Sequence, residues 1–133
     1  RRRLRERYGQ GAAAAPAREA AGEGSFSTDL DRDFMRRFIL ILEQHLSDEN
    51  IGVEELAQKM FISRVQLYRK LKALTNQSVT DFVRDYRLDR AMAMLKERKG
   101  MVYEVAAGVG FSSESYFSRA FKERFGIPPG QVG

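Results

Sequence analysis

Two runs of basic and hydroxylated side chains, ISRVQLYRKLKALTN (62–76) and GVGFSSESYFSRAFKERFG (108–126), hold the residue types that meet polyanions. Arginine and lysine pair with phosphate, and arginine also donates two parallel hydrogen bonds to the edge of a guanine. A carboxylate accepts from cytosine, and a valine methyl packs on the methyl of thymine. In the first run Leu67 and Leu71 stand at i, i+4 and bury one helical face. That leaves Arg64, Val65, Tyr68, Arg69 and Lys72 on the presented face. In the second run Phe117 and Phe121 bury the equivalent face, and Glu114, Ser115, Tyr116, Arg119, Lys122 and Glu123 are presented. The phenylalanines are therefore mostly core, and the chemistry lies on the opposite side.

The charge distribution agrees with a polyanion partner. The chain of 133 residues carries a net charge of +5. Residues 1–24 hold six Arg against three Glu, residues 25–60 four cations against eight carboxylates, and residues 61–133 thirteen cations against seven carboxylates. Positive charge thus collects at both ends. A solvated surface accounts for the same distribution, so charge by itself leaves both readings open.

Other chemistries are poorly served. With no cysteine, disulfides, thiolate zinc sites and thiol nucleophiles are excluded. His45 is the only histidine and reads as a helix residue rather than a ligand. There is no GxSxG, and GQG, GEG and GVG are too short to cradle a phosphate. Neither an enzyme nor a metal or other cofactor is expected of this chain, although a longer parent could carry histidine kinase activity. No apolar run approaches the ~18 residues of a membrane span, and no apolar core follows the basic RRRLRERYGQ as in a signal peptide.

The elements that position the two faces are helical throughout, because no segment sustains strand alternation. RRRLRERY reads as the end of a basic helix, and GQGAAAAPAREAAGEGS as a linker rich in Gly, Ala and Pro. The folded part is expected from about residue 28. A first helix buries Phe34, Phe38, Ile41, Leu42 and His45 or Leu46 behind an acidic start at Asp29, Asp31 and Asp33. Short helices are expected near 53–60 and 102–109. Ser63 caps a helix to about residue 74, and Ser78 or Thr80 caps a long one to about residue 98 whose inward face is Phe82, Tyr86, Leu88, Ala91 and Leu95. A sixth helix ends near Phe125 against Gly126, and Pro128-Pro129 starts a last turn. Arg87, inside an apolar stripe, is expected to form an ion pair, with Glu104 as the candidate partner.

The chain repeats itself. Leu56-Ala57 falls on Val105-Ala106 and Met60 on Val109. After one extra residue in the turn, Ser63 falls on Ser113, Leu67 on Phe117, Arg69 on Arg119, Leu71 on Phe121, Lys72 on Lys122 and Asn76 on Gly126. Short helix, tight turn and capped longer helix make a helix-turn-helix, whose second helix can enter a DNA major groove. The small Ala57 and Ala106 let the paired helices cross closely, and Gly110 permits a turn that a side chain would oppose.

VAAGVGFSSESYFSRAFKERFGIPP (105–129), RLDRAMAML (87–95) and LAQKMFISRVQLYRKLK (56–72) together resemble the DNA-binding domain of AraC/XylS-type transcription regulators. The likeness covers about residues 34–129. SRVQLYRKLKALTNQSVTDFVRDYRLDRA behind an Arg-rich helix end and a linker is similar to the output domain of hybrid two-component regulators. The chain departs from the family at its end, with Val132-Gly133 where an aromatic and a basic residue are usual.

The resemblance implies an all-α fold of about seven helices: two homeodomain-like helix-turn-helix units, at about 53–74 and 102–125, joined by a linker helix at about 78–98. The AraC-type domain would occupy 28–133, and 1–27 would be the end of a receiver-like helix plus a flexible linker. It implies two recognition helices about one helical turn, roughly 34 Å, apart in adjacent major-groove segments of double-stranded DNA. Base contacts would come from Arg64, Val65, Tyr68 and Arg69, and from Ser113, Glu114, Ser115, Tyr116 and Arg119. Phosphate contacts would come from Ser63, Lys70, Lys72, Ser78, Lys122 and Arg124. RNA polymerase is a possible partner, and the expected role is activation of transcription. The expected setting is the bacterial cytoplasm, with this chain monomeric, its parent a possible dimer, and no membrane contact. A helical protein-interaction module without DNA binding is the alternative, and the absence of any acidic residue from Ser63 to Lys72 argues against it.

Overall fold

The computed structural model describes residues 28–133. The basic helix end and linker expected over 1–27 lie outside the described residues. In order come α1 (Asp29–Gln44), α2 (Val53–Lys59), α3 (Arg64–Thr75), α4 (Val79–Lys96), α5 (Val102–Gly108), α6 (Glu114–Phe125) and a closing 3-10 turn, Pro129–Gln131. The all-α expectation is met, and no strand occurs among the described residues. None of these helices is long and apolar enough to cross a membrane.

Helix starts follow the sequence. Thr28 Oγ1 accepts from the Asp31 N–H at 3.0 Å, and Asp29 and Asp31 sit in the first turn of α1, where carboxylates oppose the helix dipole. Ser78, not Thr80, caps α4, accepting from the Asp81 N–H at 3.1 Å.

Two cores form, and α4 belongs to both. The first gathers Met35, Phe38 and Leu42 of α1, Leu56, Ala57 and Met60 around α2, Leu67, Leu71 and Leu74 of α3, and Val79 and Phe82 of α4. Phe38 and Phe82 meet there at 5.8 Å between ring centroids. The second gathers Leu88, Ala91 and Leu95 of α4 with Val105, Ala106, Val109, Phe111, Phe117, Ala120 and Phe121. Its rings form a chain, Phe111–Phe117–Phe121–Phe125, with centroids 5.1, 5.6 and 4.6 Å apart. The 18 residues of α4 span roughly 27 Å at about 1.5 Å each. Its N-terminal half walls one core and its C-terminal half the other. α1 also reaches both, because Leu46 beyond its end packs on the second core.

The join between the cores is polar. Arg87, only 8% exposed, does not pair with Glu104. Its Nη1 donates to the Gly110 carbonyl at 2.6 Å and its Nη2 to the Asp48 carbonyl at 3.0 Å. Glu104 is occupied at home, where its Oε1 accepts from the Met101 N–H at 2.8 Å and caps α5. Burial pushes the Arg87 guanidinium below its ordinary value, and the charge of Asp48 opposes that shift. Beside it, Arg90 Nε binds Glu43 Oε2 at 2.6 Å, and the Tyr86 hydroxyl donates to the same carboxylate. Burial, then that bond, push the Tyr86 phenol well above its usual range. Tyr86 is therefore half-buried on a polar seam and not an inward apolar residue.

Candidate nucleic-acid interface

The structure reproduces the repeat in helix length, turn closure and capping. α2 and α5 each run 7 residues, and α3 and α6 each run 12. Ala57 and Ala106 are both 2% exposed at the crossing of each pair. The turns close alike: the Ile62 N–H donates to the Ala57 carbonyl at 3.1 Å, and the Phe111 N–H to the Ala106 carbonyl at 2.9 Å. The residues at the bend, Phe61 (φ 62°) and Gly110 (φ 93°), both have positive φ. Ser63 and Ser113 cap the longer helices, accepting from the Gln66 and Tyr116 N–H groups at 3.1 Å each. Asn76 and Gly126 end them in the left-handed conformation.

The presented face of α3 is as expected. Arg64, Val65, Tyr68, Arg69 and Lys72 are all exposed, opposite buried Leu67, Leu71 and Leu74. Val65 is 54% and Tyr68 47% exposed. Arg64 leans toward Glu54 at 3.8 Å, a pair exposed on both sides and weak for that reason. Gln66, an adenine-reading residue type, is committed to its own cap, because its Oε1 accepts from the Ser63 N–H at 2.8 Å. On α6, Glu114, Ser115, Tyr116, Arg119 and Lys122 are exposed, as is Ser113 before them. The Tyr116 ring leans on Phe111 at 5.7 Å, which fixes the phenol at the rim of the core.

Two residues expected at phosphates are engaged within the fold. Lys70 Nζ binds Asp31 Oδ1 at 2.9 Å and lies 5.8 Å from the Phe34 ring centroid. It stands on the flank of α3 that packs on α1, one residue beyond the presented face, and its bond holds the Asp31 carboxyl below its ordinary value. Arg124 binds Asp89 through Nε at 2.9 Å and Asp85 through Nη1 at 3.2 Å. The reason is phase: Arg124 is three residues past Phe121 and seven past Phe117, on the inward stripe. The repeat itself carries that signal, since an offset of 50 sets Arg124 on buried Leu74. The first unit fills the position with a hydrocarbon, the second with a cation clamped by the linker helix.

The two faces differ in charge. Once Lys70 and Arg124 are removed, α3 keeps Arg64, Arg69 and Lys72 with no acid, whereas α6 balances Arg119 and Lys122 against Glu114 and Glu123.

The comparisons with known proteins meet this geometry. A family profile described as a helix-turn-helix domain matches residues 56–133. The chain belongs to the AraC-type helix-turn-helix family. Histidine kinase P4 of Formosa agariphila is 31% identical to this AraC-type domain over 104 residues, 78% of this chain and 8% of that protein. The C-terminal domain of AraT, a response regulator from Geobacillus stearothermophilus, superposes with a TM-score of 0.67 at 28% identity, covering 74% of this chain and 82% of the other. The DNA-binding domain of AdpA, a global transcriptional factor solved in complex with a target DNA, superposes with a TM-score of 0.66 at 25% identity, covering 72% and 86%. The chain spans 8–35% of the length of the curated relatives it matches.

Proposed function

We propose that this AraC-type domain reads double-stranded DNA through two adjacent major-groove segments, and that it is the output domain of a two-component signalling protein that activates transcription. One observation carries the DNA half: α3 presents Val65, Tyr68, Arg69 and Lys72 to solvent on a face free of acidic side chains, and α6 repeats the geometry with Ser115, Arg119 and Lys122. Arg64, Val65, Tyr68 and Arg69 of the first unit, and Ser113, Glu114, Ser115, Tyr116 and Arg119 of the second, are the base-reading candidates. Lys72, Lys122 and the capping hydroxyls Ser63 and Ser78 are the phosphate candidates, since a hydroxyl that accepts at a cap still has a proton to donate. Arg124 and Lys70 have partners in the fold and belong to the scaffold. The two-component half rests on the likeness to a histidine kinase and to the C-terminal domain of a response regulator. RNA polymerase would then be the further partner in a bacterial cytoplasm, and dimerisation would come from the parent's upstream part.

The experiment is a titration of the 133-residue chain with a duplex that it selects from a random pool. Displacement of several counterions predicts an affinity loss of roughly 100-fold or more from 50 to 200 mM salt. Binding indifferent to salt, or no duplex selected, overturns the DNA reading. A reporter driven by the selected duplex tests the remainder: the parent should raise its output in response to phosphorylation, and a fall overturns the activator role.

A further inference from the structure

Arg87 stands outside both presented faces, yet among the described residues it is the one buried charged side chain, and it lies between the two cores. Its position in α4 falls between Phe82, the last buried residue of the first core, and Leu88, the first of the second. Its two bonds go to two different bodies. Nη2 holds the Asp48 carbonyl in the loop that follows α1, and α1 packs on the first unit. Nη1 holds the Gly110 carbonyl in the tight turn between α5 and α6. Gly110 is moulded to this contact: a Cβ there would lie 1.7 Å from Nη1 and 2.5 Å from the Leu46 carbonyl oxygen. A planar guanidinium can span two carbonyls in fixed directions, which an ammonium cannot. The turn it grips is the one that sets the entry angle of α6.

We infer that Arg87 is a positioning residue that fixes the orientation of the second recognition helix relative to the first, and so sets which separation between two DNA half-sites the domain accepts. This rests on the two-segment reading above. The contact predicts a role distinct from general stability. A rigid pair of units gains affinity only when both half-sites lie at the right spacing and phase, whereas a loosened pair gains less but tolerates more spacings. Each unit keeps its own core in either case, so binding to a single half-site does not depend on the Arg87 bonds.

The test uses the 133-residue chain, its Arg87→Met and Arg87→Lys variants, and the duplex selected by the unaltered protein. Three forms of duplex are needed: intact, with either half scrambled, and with 5 base pairs inserted between the halves. For the unaltered chain the intact site should bind on the order of 100-fold more tightly than the half-sites or the inserted form. For Arg87→Met that advantage should fall to about 10-fold or less with half-site affinities within about 3-fold of the original, and Arg87→Lys should recover part of it. A melting curve establishes that each variant is folded at the assay temperature. If Arg87→Met keeps the full advantage and the same spacing preference, the inference is wrong. It is equally wrong if half-site and intact-site binding fall together, which marks a purely structural residue. A failure of the unaltered chain to select any duplex would instead strike the DNA reading itself.

Discussion

Gly110→Ala should be among the most damaging single-methyl additions in the domain. Two costs combine. Gly110 has φ +93°, where a side chain is strained by about 1–2 kcal/mol. The new Cβ would also fall 1.7 Å from Arg87 Nη1 and 2.5 Å from the Leu46 carbonyl oxygen, so the guanidinium must leave the Gly110 carbonyl. Losing a hydrogen bond from a buried charged donor costs roughly 1.5–3 kcal/mol. The sum is about 2.5–5 kcal/mol, which for a domain of this size corresponds to a fall in Tm on the order of 10 °C or more. Gly126→Ala is the matched control, because φ is +83° but nothing lies within 4 Å of its new Cβ. It should cost only the backbone strain, about 1 kcal/mol. The first unit supports this division. Phe61, at the position equivalent to Gly110, has φ 62° and carries a whole ring that is 91% exposed. The bend tolerates a side chain where no arginine fills the space behind it. Urea unfolding of both variants supplies the comparison, and a Gly110→Ala protein within about 1 kcal/mol of Gly126→Ala would refute the packing argument.

Arg69→Ala and Arg119→Ala should each weaken binding to the selected duplex by about 1–3 kcal/mol and relax base preference, whereas Lys72→Ala should weaken binding on all sequences alike; fluorescence titration on a panel of duplexes separates the two patterns. Arg124→Ala should lower stability by roughly 2 kcal/mol by leaving Asp85 and Asp89 without their shared cation, yet leave DNA affinity of the folded protein within about 3-fold. A selective loss of affinity would return Arg124 to the phosphate-binding set. The Asp31 carboxyl is held below its ordinary value chiefly by Lys70, so the pair stabilises the fold above the unfolded carboxyl value and is lost as pH falls through the lower folded value. Asp31→Asn should accordingly narrow the gap in urea midpoint between pH 7 and pH 3, and an unchanged gap would refute the pairing.

The helices were legible because their signals are local. Ser63, Ser78 and Ser113 announce caps, Asn76 and Gly126 announce ends, and the apolar spacing between them has one period. The presented faces followed by subtraction from that period. The partners of Arg87, Lys70 and Arg124 were not legible for a common reason: a sequence displays charges but not vacant carbonyls or the neighbours of a flank. Arg87 suggested a carboxylate partner, and the structure supplies two backbone oxygens that no residue type encodes. Lys70 depends on where α1 docks, a contact 39 residues distant in sequence. Met35 entered the first core for the same reason, since which flank of α1 faces inward is decided by α3 and α4. Arg124 alone was recoverable, because the repeat sets it on a leucine.

A helix held in common by two hydrophobic interiors has a consequence for any attempt to divide the protein. A cut between Phe82 and Leu88 would leave the buried residues of each interior together, but it would hand each product half a rod, take Leu46 away from the second interior and part the Asp48 carbonyl from the Gly110 turn. Each product would keep its own hydrophobic set and lose what holds α3 and α6 at a set angle. The smallest piece that can be borrowed for another architecture, or transplanted onto another sensor, is the pair with its rod unbroken.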